Sequence, residues 1–100
     1  MQAPAPIKDA LRPAYRHARR RAKVWTSEES IRLVVDSGQS PRAVSDLFAK
    51  MLLSESPIRS VLPRLDGSEN GAPSAEVFES ILRDIVWERM EIGVSRYRRN

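Results

Sequence analysis

One hundred residues, 41% of them hydrophobic and none of them cysteine, describe one small globular domain. Disulfides, thiolate metal sites and thiol nucleophiles are thereby excluded. The formal net charge of +4 is unevenly distributed. Residues 1–25 carry seven basic residues against Asp9 alone, and residues 96–100 add Arg96, Arg98 and Arg99, whereas residues 26–95 hold seven basic and twelve acidic residues. An acidic body with basic ends suggests a polyanionic or acidic partner for those ends.

Gln2 to Ile7 alternates Ala and Pro, which restricts the backbone toward extended conformations, so residues 1–12 read as a flexible lead-in. From Pro13 the spacing changes. On a helix, Ala14, Ala18, Ala22 and Trp25 share one side and Arg16, Arg19, Arg20 and Lys23 the other, which predicts a basic amphipathic helix over 13–24. Thr26, three residues ahead of Glu29, has capping-box spacing and opens a helix over about 27–36. Ser37-Gly38-Gln39-Ser40-Pro41 stops that helix and starts the next, with Gly38 at positive φ, Ser40 as cap and Pro41 first in a helix over 41–53. Val44, Leu47, Phe48, Met51 and Leu52 fall on one face of it and are expected in the core.

Ser56-Pro57 repeats the cap-then-Pro signal for a short helix over 57–62, with Ile58, Val61, Leu62 and Leu65 on one side, stopped by Pro63. Asp66 to Pro73 reads as a loop, and Ser74 caps the longest helix, over 74–92, before Gly93 and a basic tail at 96–100. Val77, Phe78, Ile81, Leu82, Ile85, Val86 and Ile92 cover one half of that helix as its core stripe, with Trp87, Arg83 and Met90 pointing elsewhere. No internal repeat or β-hairpin signal is present. The expected fold is all-α, a small bundle of about four helices forming a single domain over 13–95.

No enzymatic constellation stands out. The single His17 sits among arginines, Asp84 and Glu88 are spaced for a solvated salt-bridge face with Arg83 and Arg89, and the four glycines are isolated, so no catalytic residue, metal site or cofactor is expected. Apolar runs such as Met51–Leu53 fall far short of the about 20 residues a membrane span needs, and no apolar signal region follows Met1. A cytoplasmic protein without a membrane partner is expected.

Two binding functions remain. The apolar faces exceed what three short elements need, and Trp87, Met90 and Arg83 are the expected anchors for a protein partner or a second copy. A homodimeric, non-enzymatic adaptor or antiactivator that binds a transcription regulator has this profile. The alternative is DNA or RNA binding through Arg16, Arg19, Arg20, Arg21 and Lys23, with Arg96, Arg98 and Arg99 from the tail and with Tyr15 or Trp25 stacking on a base. In its favour, residues 30–48, SIRLVVDSGQSPRAVSDLF, resemble the first two helices of transposase-type helix-turn-helix domains. That resemblance implies DNA reading, and it puts 56–62, with Arg59 and Ser60, in the recognition position.

Overall fold

The computed structural model describes residues 6–66 and 71–99 and shows an all-α fold, with no strand among the described residues. Five α-helices follow in order, α1 (Ile7–Trp25), α2 (Glu28–Asp36), α3 (Pro41–Leu52), α4 (Ser56–Arg59) and α5 (Ala75–Arg99), with one 3₁₀ turn at Leu62–Arg64 before α5. The molecule is a rod of 55 × 21 × 19 Å. Its radius of gyration is 15.5 Å, against about 13 Å for a compact domain of this length.

The local signals between helices are largely realised. Ser40 Oγ accepts the Ala43 N–H with Pro41 in the first turn of α3, and Ser74 Oγ accepts the Val77 N–H at the start of α5. Gly38 has φ +73°, the Gln39 N–H reaches Val34 O and the Gly38 N–H reaches Val35 O, the paired bonds of a Schellman stop. Two caps differ. Ser27, not Thr26, caps α2 through the Ser30 N–H, while the Thr26 hydroxyl turns back to Ala22 O and closes α1. Ser56 lies inside α4, because Glu55 takes the N-cap position and its carbonyl accepts from Ile58 and Arg59.

The two long helices depart most from expectation. α1 starts at Ile7 rather than Pro13, so only residues 1–5 of the expected lead-in lie outside the described residues. Pro13 has no N–H to donate and crowds the preceding turn. Burying Ile7 and Leu11 in line with Ala14, Ala18 and Ala22 offsets that cost. α5 does not stop at Gly93 and absorbs the basic tail as far as Arg99. Of the loop expected at 66–73, residues 67–70 lie outside the described residues.

α5 is the floor of the fold. It buries Phe78, Leu82, Val86, Met90 and Val94, one side chain every fourth residue. At 100° per residue each four-residue step rotates by about 40°, so the row winds round the helix. Its first half, with Phe78, Leu82 and Val86, belongs to the main core with the inner row of α1, Ala49, Leu52 and Ile58. Its second half, Met90 and Val94, joins Ile31 in a smaller cluster, and Phe48 borders both. This winding corrects the expected core stripe, leaving Val77 51% and Ile92 40% exposed while Met90 is fully buried. On α3 the buried row is Ser45, Ala49 and Leu52, so Leu47 and Met51, expected in the core, face solvent. Small side chains at Ser45 and Ala49 let α3 approach α5 closely.

Gly93 is a packing position rather than a stop. A Cβ there would lie 2.7 Å from Ile31 Cγ1 and 2.8 Å from Cδ1, so the glycine is what lets α2 reach α5. Gly93→Ala is expected to lower the thermal midpoint, since overpacking costs about 1–3 kcal/mol against a helix-propensity gain of about 1 kcal/mol. In an Ile31→Ala background the same substitution is expected to raise stability, and a stabilising Gly93→Ala in the parent chain would contradict the close approach.

Candidate functional site

The inward face of α1 is fixed by its alanines, and that determines what the helix shows to solvent. With Ala14, Ala18 and Ala22 at zero exposure, the opposite arc carries Lys8, Arg12, Arg16, Arg19, Arg20 and Lys23, all exposed, with Asp9 as its one acid. At 1.5 Å per residue the arc runs about 22 Å along the rod. None of these six cations takes part in an ion pair among the described residues, where the pairs are His17–Glu55, Arg21–Glu55 and Arg42–Asp46. Asp9 is the one described acid on their face of the helix.

Arg21 and His17 behave differently. His17 Nε2 lies 2.5 Å from Glu55 Oε1, and Arg21 Nε approaches the same oxygen to 3.2 Å without its N–H aimed along a hydrogen bond. The Arg21 guanidinium also sits 4.5 Å from the Trp25 ring centroid. Glu55, at the start of α4, thus ties that segment to the flank of α1 and withdraws Arg21 from the expected nucleic-acid set. Lys8 and Arg12 enter the set instead; the apolar spacing Ile7, Leu11, Ala14 was the signal that placed them on the helix. Tyr15 and Trp25 are not free to stack on a base, because Tyr15 packs 5.6 Å from Phe78 and Trp25 5.2 Å from Phe48, centroid to centroid.

The tail arginines do not form one cluster. Arg96 lines a groove with Thr26, Glu28, Ile31, Gly93 and Tyr97, next to the end of α1, whereas Arg98 lines a different one with Ser40, Pro41, Arg42, Trp87 and Glu91. Arg99 is exposed at the end of α5. The Tyr97 hydroxyl donates to Asp36 Oδ1 at 2.5 Å and clasps this last stretch to α2.

The expected protein-interface residues are also separated. Met90 is completely buried between α2 and α5, so it offers no surface to a partner. Trp87 is half-buried against the cluster around Ile31, with the Arg42 guanidinium 4.7 Å from its ring centroid, and packs on neither face of α1. Arg83 is exposed in a groove between α3 and α5 with Arg42, Asp46, Lys50 and Glu79. Asp84 and Glu88 form no ion pair with Arg83 or Arg89, contrary to the salt-bridge face read from their spacing. No group of three or more metal-ligating side chains converges among the described residues, and no described helix is long and apolar enough to cross a membrane. In the position of a recognition helix, α4 is a single turn with Ile58 buried and the Ser60 hydroxyl given to Pro57 O.

No family model, curated protein or solved structure matches this chain.

The Tyr97 clasp has a pH signature. Its hydroxyl pKa is raised above the usual 10.0, first by the hydrogen bond to Asp36, then by burial and the Asp36 charge, with Arg32 opposing. The folded state therefore holds this proton more tightly than the unfolded chain. The clasp's contribution is complete below pH 10 and is lost as pH rises through the raised folded value. The thermal midpoint of the parent chain is expected to exceed that of Tyr97→Phe at pH 8, and the gap is expected to narrow as pH rises above 10. Parallel curves would show that the bond does not form in solution.

Proposed function

We propose that this protein is a non-enzymatic nucleic-acid-binding protein that grips the phosphate backbone with the outer face of α1. The observation that carries this reading is the arc of six exposed cations from Lys8 to Lys23, with one acid among them and no ion-pair partner among the described residues. Lys and Arg so placed exchange condensed counterions for phosphate contacts, and Arg adds bidentate geometry. Arg96 adds a further cation in the groove beside Thr26, where α1 ends. With Tyr15 and Trp25 occupied internally, no aromatic ring on this helix is free to stack on a base, and the cations of the arc are assigned to phosphate.

A second reading, a regulator that captures a protein such as a transcription regulator, has one observation in its favour. The two grooves along the α3–α5 seam meet at Arg42 and present Arg83 and the open edge of Trp87. The two readings use different residues, and so they separate by mutation.

Duplex affinity is expected to fall steeply with salt, with a log–log slope near −5 if all six cations engage, at about −0.9 per phosphate. Arg16→Ala with Arg19→Ala is expected to flatten the slope by about two units, while Arg42→Ala with Arg83→Ala leaves it unchanged. No binding at about 50 mM salt, or loss of binding only in the seam variant, would overturn the α1 reading.

A further inference from the structure

α5 carries a second apolar row that the described residues cover only in part. Val77, Ile81, Ile85 and Ile92 follow one another at steps of four, four and seven residues, on an arc beside the buried row. Val77 and Ile92 are 51% and 40% exposed, and Ile81 and Ile85 are half-buried, Ile85 resting on the main core by one edge. Glu88 fills the gap in the row, so the sequence 81, 85, 88, 92 has the alternating four- and three-residue spacing of a coiled-coil seam. Exposed Asp84 and Glu91 lie on one flank of this seam and exposed Arg89 and Arg96 on the other. None of the four has an ion-pair partner among the described residues.

We propose that this face of α5 pairs with the same face of α5 in a second copy, in parallel, to form a two-fold dimer. In a parallel pair of helices, a residue on one flank meets the residue five positions further on in its partner. Asp84 then faces the copy's Arg89 and Glu91 the copy's Arg96, each contact made twice by symmetry. In an antiparallel pair each flank meets itself, acid against acid and arginine against arginine. The charge pattern is thus complementary to itself in one orientation, which is why the occupant is a second copy rather than a foreign helix. The pair of Glu88 side chains in the seam keeps the association weak and reversible. Arg96 apart, this face shares no residue with the outer arc of α1, so Glu88→Leu and the Asp84 and Glu91 reversals test the dimer without altering the cations proposed for nucleic acid.

Sedimentation equilibrium of the full chain tests it. A concentration-dependent monomer–dimer equilibrium is expected for the parent chain, with Glu88→Leu tightening it by about a hundredfold or more, since it replaces two charged side chains in the seam with two apolar ones. Asp84→Arg with Glu91→Arg should dissociate the dimer, and adding Arg89→Asp and Arg96→Asp should restore it. All four side chains are exposed, and thermal melting monitored by circular dichroism checks that each variant is folded. A chain that stays monomeric even with Glu88→Leu would overturn the proposal and leave the row to a helix of another protein. A dimer indifferent to the charge reversals would overturn it equally.

Discussion

A single helix that buries every fourth side chain sets the geometry of this molecule. Because four residues turn about 400°, the row Phe78, Leu82, Val86, Met90 and Val94 sweeps roughly 160° around α5 between its ends. The helix therefore faces α1 early in its course and α2 later, while α3 runs along it and α4 packs on α1. Two apolar clusters joined at Phe48 follow from that sweep, in place of one globular core. The elongated shape follows too, since each short helix covers only part of a helix of 25 residues.

The chemistry of the surface depends on the same packing. α1 approaches α5 through alanines, which need little room, and its long cationic side chains are thereby turned outward. Glu55 neutralises only the flank, where His17 and Arg21 reach it, and so pins α4 against α1 without quenching the outer arc. Acidic Asp84, Glu88 and Glu91 sit on the exposed side of α5 instead. The outer face of α1 is thereby predominantly cationic.

Some of this was legible from residue order alone. The Ser40–Pro41 and Ser74 caps and the Gly38 stop are local chemistry, and each is realised as its spacing implies. Other elements depend on partners remote in sequence. Pro13 and Gly93 both look like helix boundaries, yet Pro13 sits inside α1 because Ile7 and Leu11 have a core to enter, and Gly93 sits inside α5 because Ile31 needs its space. Periodicity identifies an apolar side on α3 and α5 but not which arc of it is covered, so Leu47, Met51, Val77 and Ile92, expected in the core, lie exposed. In the candidate site, Arg16, Arg19, Arg20 and Lys23 were evident from spacing. The removal of Arg21 was not, because it depends on Glu55, and the His17 contact with that same carboxylate spans 38 residues.

The outer face of α1 as the working surface is tested most directly by NMR amide-shift mapping of the full chain titrated with a short nucleic-acid duplex at low salt. Perturbations are expected along residues 8–23 and at Arg96, with the acidic side of α5 around Asp84 and Glu88 unaffected. Perturbations centred on Trp87, Arg83 and Arg42, with α1 silent, would contradict it.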